Sequence, residues 1–429
     1  MAVGIWCHWR FKNRKLISMA SKIPGPPVVP LFGNALMFMA KPEEMISIIE
    51  KILQDYAGTL KFWLGPDLNI IVSNPEDIKT LLTSPKTSKK GPQYKYMADI
   101  LGGGILSGSE TIMGLSKDES VVIPHLQEII DVSPSMYKII FERMTKWYLQ
   151  IDPVFWLTES YRTQRRFIKI ISDFGQYVID ARRSRLAAMN IDKRLLHSKE
   201  EKTTDLSIID RFILSEELST VELINEIMTL FTASQEASGK ICSYLLLMLA
   251  YHPQYQEKLY SEINKVIGDE TRAVTENDFK QMPYLDMVYK EVVRLFPIGA
   301  MIQRTVREDI EISTCTLPKG SSLVIPIYHI QRDKRFWVNP NDFDPERFSP
   351  ENSRLRHPCC YIPFSLGPMD CLGRYFGTKL IKTIAVKVIQ EYSLTSLSSY
   401  KDLRLAIRIS VFSLNGYPVI LTPRKESTT

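Results

Sequence analysis

Residues 364–373 read FSLGPMDCLG, and the spacing Phe364, Gly367, Cys371, Gly373 decides what the rest of the chain can be. A lone cysteine is most often a small buried hydrophobe. The residues that follow argue otherwise here. From about Leu372 to Glu391, Phe376, Leu380, Ile384 and Val388 form one i, i+4 row and Ile381, Ala385 and Ile389 another, which predicts a long helix buried over a wide face. Cys371 then stands at its N-terminal end, where free backbone N–H groups and the positive end of the helix dipole favour a thiolate. Such a thiolate is a ligand and not a filler. Gly367 lets the preceding loop bend tightly, and Gly373 leaves room for a flat group to lie against the backbone. From the chain's own residue frequencies, the four-residue pattern arises by chance on the order of once in two thousand such sequences.

The rest of the chain is compatible with a large helical enzyme. Its 429 residues are 45% hydrophobic and 24% charged, an ordinary globular composition that can bury a sizeable core. The six cysteines (Cys7, Cys242, Cys315, Cys359, Cys360, Cys371) form neither a dense disulfide framework nor paired zinc spacing, which points to a reducing compartment. A net charge of +6 is mild at this length and suits an acidic partner or membrane surface, not nucleic acid.

Helical periods dominate beyond residue 40. The stretch 61–73 reads as a strand pair turning at Gly65 and Pro66. Ile208 to Pro253 reads as almost continuous helix, its second half apolar on every face and therefore running through the core; a further helix spans Tyr284 to Phe296. Strand-like pieces follow near Ile310 and in SSLVIPIYHI, and the tail PRKESTT is expected to fray. At the other end, HWRFKNRKL carries the basic cluster that flanks the cytoplasmic side of a membrane anchor, preceded by an apolar stretch too short to span a bilayer. KIPGPPVVPLFGN, with Pro24, Pro26, Pro27 and Pro30, is a stiff extended lead-in. The expected organisation is a basic anchor-region remnant over 1–21 and one domain over 22–429.

FxxGxxxCxG resembles the haem-binding loop of the cytochrome P-450 superfamily, in which the cysteine thiolate is the proximal iron ligand. Two further motifs stand upstream in the family's order. KEVVRLFP holds Glu291 and Arg294, resembling the family's ExxR pair, and FDPERF holds Arg347, resembling the third member of that structural charge cluster. A carboxylate between two guanidiniums satisfies its lone pairs bidentately, one of the few ways to bury charge without an unpaired penalty. ExxR also occurs at Glu159–Arg162 and Glu351–Arg354, but only the copy at Glu291 lies on an apolar helix followed by the other two motifs. The likeness is greatest to family 4, the fatty-acid and lipid hydroxylases, in their arthropod forms, and spans nearly the whole chain.

The resemblance implies a mainly α fold with a small β part, the cytochrome P-450 fold, holding haem b. Cys371 would be the metal ligand, Phe364, Gly367 and Gly373 would shape its loop, and Arg304 would bind a haem propionate. It implies a monooxygenase that hydroxylates a lipophilic substrate such as a fatty acid, lipid hormone or xenobiotic with O2. The electrons would come from an NADPH-dependent flavoprotein reductase, with cytochrome b5 a second donor, at the cytoplasmic face of the endoplasmic reticulum membrane. Arg354, Arg356, Arg374, Lys379 and Lys382 are the expected basic docking face. A cysteine-nucleophile hydrolase fails, because no histidine stands in a partnering context.

Four positions depart from the family pattern. Where relatives carry an acid followed by threonine, TASQEAS places Glu236, Ala237 and Ser238, making Glu236 and Ser238 the candidate proton relay. Ala233 stands where some relatives carry a glutamate esterified to haem, so no covalent link is expected, and Met369 replaces a propionate-binding arginine. Finally, Ser109 joins directly to Glu110, whereas relatives place a helix bearing WxxxR and further helices between the corresponding segments. An internal deletion near 109–110 is therefore expected, and with it the alternative of an inactive or incomplete chain that binds haem weakly.

Overall fold

The computed structural model describes residues 2–56, 58–97, 126–191, 206–268 and 272–424; the suspected junction at Ser109–Glu110 lies outside them. Among these residues the helices of eight or more are α1 (Ala2–Lys12), α2 (Arg14–Ser21), α3 (Met45–Asp55), α4 (Pro75–Thr83), α5 (Leu126–Thr145), α6 (Glu159–Ala188), α7 (Ile208–Ser215), α8 (Thr220–Tyr251), α9 (Pro253–Val266), α10 (Pro283–Leu295) and α11 (Arg374–Glu391). The strands are β1 (Thr59–Leu64), β2 (Asp67–Val72), β3 (Lys89–Lys90), β4 (Ile302–Thr305), β5 (Ile310–Glu311), β6 (Thr316–Leu317), β7 (Ser322–Ile325), β8 (Tyr392–Thr395), β9 (Leu405–Ile407), β10 (Val411–Ser413) and β11 (Ile420–Pro423). The fold is mainly α with a small β part, as the sequence implies.

The helical core forms around the apolar half of α8. Ile241, Tyr244, Leu245, Met248 and Leu249 are buried against α9, α10 and α11, and Tyr244 stacks on Phe296 with ring centroids 3.9 Å apart. A second cluster joins α8 to α5 and α6 through Phe174, Val178, Ile227 and Phe231. The strands form a five-stranded sheet in the order β1-β2-β7-β4-β3, with only the β2–β7 pair parallel. Lys90 of β3 lies opposite Arg304 of β4.

Several boundaries differ from the sequence reading. The helix expected over 208–253 is interrupted: Glu216 ends α7 in the left-handed region (φ 57°), and Ser219 restarts the chain through a capping box with Glu222. In SSLVIPIYHI the strand stops before Pro326, and Ile327–Ile330 makes a single helical turn. On α11, Ile381, Ala385 and Ile389 are buried, whereas Phe376, Leu380 and Val388 are half-buried and Ile384 is exposed, so one row carries the packing and not two. The expected fraying does not reach Arg424, which pairs with Glu257 at 2.6 Å and caps the Tyr260 ring at 3.9 Å.

The proline-rich lead-in docks on β1. Lys61 N–H donates to the Pro24 carbonyl at 2.8 Å, and the Asn34 side chain accepts from Trp63 N–H at 2.9 Å. Before it, Ala20 is buried in the sheet-domain cluster, Leu16 and Ile17 pack on that cluster, and the Trp9 ring meets Trp63 edge-on at 5.7 Å. No helix among the described residues is long and apolar enough to cross a membrane.

Candidate haem-thiolate site

The loop before α11 is held by its own backbone. Cys371 N–H donates to the Phe364 carbonyl at 2.9 Å and Asp370 N–H to the Gly367 carbonyl at 3.0 Å. Ser365 and Gly367 both adopt positive φ, 64° and 77°. A Cβ on Gly367 would stand 2.2 Å from the Leu82 carbonyl oxygen at the end of α4, so glycine is required there on two counts.

Cys371 is half-buried and lies three residues before Arg374, the first residue of α11, with Gly373 as N-cap. The helix therefore starts later than the sequence reading placed it. Backbone N–H groups of Gly373 and Arg374 reach the sulfur, yet burial outweighs them and pushes the thiol up from its ordinary value. The expected helix-end stabilisation is present but does not win by itself; a bound cation would supply the remainder, because a coordinating thiol is deprotonated outright. The contrast with the other cysteines is instructive. Burial holds the Cys242 thiol at about 11 and Cys360 at about 12, and Cys359 and Cys360 are fully enclosed packing residues.

Arg304 comes to this loop from β4. Its guanidinium is 4% exposed and donates to Ser365 Oγ, the Met369 carbonyl and the Gln303 carbonyl, each at 3.1 Å. All three partners are neutral, and no carboxylate pairs with it among the described residues. A buried cation satisfied only by neutral oxygens leaves a charge for an anion to compensate. The donor set thus fits a group that presents a metal to Cys371 and a carboxylate to Arg304. At position 369 the chain offers a backbone acceptor and no charged side-chain donor.

The ExxR copy at Glu291 is the buried one. Glu291 Oε2 accepts from Arg294 Nε at 2.6 Å and Oε1 from Nη2 at 2.8 Å; Arg347 Nε stands 3.3 Å from Oε1, and Asp344 N–H donates to it at 2.9 Å. Arg294 also donates to the carbonyls of Gln331, Pro340 and Asp342, and Arg347 to those of Val338 and Asn339. Trp337 is flanked by the guanidiniums of Arg294 and Arg356, at 4.8 and 3.9 Å, a stacking the sequence reading missed. The other two copies lie on the surface: Glu159 and Arg162 are 79% and 77% exposed, and Glu351 and Arg354 are exposed.

On α8, Glu236 and Ser238 are not brought together. Two residues on a helix point about 200° apart. Glu236 accepts from Ser410 Oγ at 2.7 Å and pairs with Lys240, partners that the sequence reading did not name. The Glu236–Lys240 spacing was a readable i, i+4 signal; Ser410, 174 residues away, carried none.

The expected basic face is only partly free. Lys382 is 10% exposed and paired with Asp286 at 2.6 Å, Arg356 stacks on Trp337, and Lys379 pairs with Glu276. Arg354 and Arg374 remain exposed, and Lys290, which the sequence reading did not include, lines a cleft with Arg374, Tyr289 and Phe364 beside the cysteine loop while pairing with Asp286 at 2.6 Å.

Comparison with known proteins agrees with this geometry. The family model for cytochrome P450 matches residues 113–414. Cytochrome P450 4c3 of Drosophila melanogaster is 25% identical over 489 residues, covering 96% of this chain and 91% of its own length. Cytochrome P450 4d1 of Drosophila simulans is 26% identical, covering 90% of each chain, and cytochrome P450 4V2 of Homo sapiens is 25% identical, covering 92% and 88%. The first of these alignments is longer than the chain's 429 residues, so the relative carries residues with no counterpart here. A match over most of the chain, with a cysteine held by N–H donors and a buried ExxR cluster behind it, leaves one conclusion: the chain belongs to the cytochrome P450 family of haem monooxygenases and is most like its family 4 members.

Proposed function

We propose that this chain hydroxylates a lipophilic substrate, with Cys371 as the axial ligand of haem b and Arg304 as the partner of a propionate. The observation that carries the reading is the convergence on one loop of a thiol with N–H donors and a buried guanidinium with no counter-charge among the described residues. When bound, the haem iron supplies the oxygen-activating chemistry. The protein's share is to hold the sulfur at a fixed place, to enclose the charge of the propionate, and to deliver protons along α8. Glu236 and Ser238 are the acid and hydroxyl assigned to that relay, and Ala237 carries no hydroxyl between them. Fatty acids, lipid hormones and lipophilic xenobiotics fall within the substrate class.

Electrons would come from an NADPH-dependent flavoprotein reductase or cytochrome b5 docking near Arg374 and Lys290. A seat on the cytoplasmic face of the endoplasmic reticulum membrane has support in an apolar surface built from two distant segments. Val28, Leu31 and Leu36 of the lead-in and Ile151, Trp156 and Leu157 after α5 are exposed, and Phe32 joins the two segments by meeting Trp147 at 4.8 Å.

The second reading is a chain that binds haem weakly and turns over poorly. It is favoured by the position of Met369, whose carbonyl accepts from Arg304, and by the surplus residues in the relatives. The absorption spectrum of the reduced, carbon-monoxide-bound protein tests the first reading. A thiolate-type band present in Cys360→Ala and absent in Cys371→Ala supports it; equal spectra from both variants sink the ligand assignment.

A further inference from the structure

Thr232, Glu236 and Lys240 form one i, i+4 row on α8, and the row faces α5 and the C-terminal hairpin. Tyr137 of α5 reaches the row, donating to the Thr232 carbonyl at 3.4 Å. From the other side comes the turn Arg408–Ser410 between β9 and β10. Ser410 is 2% exposed; its hydroxyl donates to Glu236 Oε1 at 2.7 Å and accepts from Lys240 Nζ at 2.6 Å, while Lys240 also pairs directly with Glu236. Three groups thus close a ring through Glu236 Oε1, Ser410 Oγ and Lys240 Nζ. The turn is fixed by Arg408 N–H donating to the Ser410 carbonyl at 3.1 Å, and its middle residue, Ile409, packs against the cluster under α5, α6 and α8.

The charges around Glu236 come from three elements. Lys240 lies on its own helix; Tyr137 faces it from α5; Tyr417, beyond β10, faces it from the C-terminal region, where Arg408 of the turn covers the Phe412 ring. Lys240 and Arg408 both approach the Phe412 ring, at 5.6 and 4.6 Å, so the cations gather on the hairpin side.

We infer that Lys240 is a positioning residue for proton delivery: with Ser410 it latches the Glu236 carboxylate to the β9–β10 turn, so that Glu236 exchanges protons with the Ser238 side of α8 only when that turn withdraws. The inference rests on the monooxygenase reading for its proton-delivery half and on geometry alone for the latch. An acid turned away from its relay partner and tied to a hairpin makes proton supply depend on the hairpin's position. Whatever displaces residues 408–410 then opens the latch.

The test uses the full chain and the variants Lys240→Met and Lys240→Arg. Backbone hydrogen exchange over 408–412 needs no haem. It is expected to rise about tenfold in Lys240→Met, to return to the parent rate in Lys240→Arg, and to stay unchanged over α11. In haem-loaded protein, the share of NADPH consumed that ends as peroxide is followed against pH. In Lys240→Met the share is expected to fall across the whole profile, because Glu236 no longer has to leave the β9–β10 turn before it exchanges a proton; Lys240→Arg restores the parent profile. Unchanged exchange in Lys240→Met overturns the latch. Raised exchange with an unmoved pH profile overturns the role in proton delivery and leaves a structural strut. A missing thiolate-type spectrum in the parent chain overturns the monooxygenase reading and the proton-delivery half with it, while the exchange rates still decide the latch.

Discussion

Glu291 and Glu159 both open an ExxR tetrapeptide, and burial separates them. The Glu291 carboxylate is fully enclosed between two guanidiniums, so Glu291→Gln leaves cations buried without their partner and is expected to cost about 3–5 kcal/mol. Glu159→Gln breaks an exposed pair and is expected to cost less than about 0.5 kcal/mol. Denaturant unfolding of the two variants reads the difference, and equal midpoints would remove the structural role of the cluster. At Gly367, alanine meets both a positive φ and a carbonyl oxygen at 2.2 Å, so Gly367→Ala is expected to shift the loop, lowering the melting temperature and the haem content together. His329 supplies a pH dependence. Burial holds it down at about 4, against about 6.5 unfolded, so below the unfolded value the unfolded chain binds more protons than the folded one. Its contribution is complete above about pH 6.5 and is lost as pH falls toward 4, roughly 3 kcal/mol in all. His329→Gln should flatten the stability profile in that window; an unchanged slope there would contradict the assignment.

Among the elements, the second half of α8 was the most legible, whereas the sequence reading ran its first half on from α7 without a break and began α11 two residues early. The buried half of α8 announces itself because ICSYLLLMLAYHP has no polar face, and its start is written in the capping pair Ser219 and Glu222. Ser219→Ala is expected to cost about 1 kcal/mol, measured by thermal unfolding. The extent of packing on α11 was not legible, because Phe376 and Ile384 belong to a row whose exposure depends on what tertiary structure lays against it. The basic face shows the same limit. Lys382 and Arg374 read alike as cations near the cysteine, yet Asp286, 96 residues away, draws Lys382 into the interior and leaves Arg374 outside. Arg374→Glu should therefore slow reductase-supported reduction and weaken its dependence on salt, whereas Lys382→Met should act chiefly on stability. Reduction rates followed against ionic strength check this, and a parent rate insensitive to salt would count against docking at α11.

For the whole molecule, the cysteine loop and the Glu291–Arg294 pair were readable because each is a short run whose residues meet locally, whereas Arg347, 56 residues after Glu291, was named through the resemblance. Arg304 was legible only through its likeness to relatives; that its partners would be Ser365 and Met369, more than sixty residues on, depends on how β4 lies against the loop. The same arithmetic bears on occupancy. With Met369 offering an acceptor and no WxxxR counterpart in the folded body, two charge-assisted hydrogen bonds are forfeited, each about 1.5–3 kcal/mol, and haem affinity should fall by a factor on the order of a hundred or more. Haem titration of the expressed chain reads this, and stoichiometric uptake at micromolar haem would contradict it. Sequencing the locus is expected to reveal a segment bearing WxxxR between Ser109 and Glu110. The most direct test of the account as a whole is the reduced, carbon-monoxide-bound spectrum with haem in excess. If Cys371 ligates haem iron, a red-shifted thiolate-type Soret band forms in the parent chain and in Cys360→Ala and disappears in Cys371→Ala; a band that survives Cys371→Ala, or never forms in the parent, would contradict the assignment.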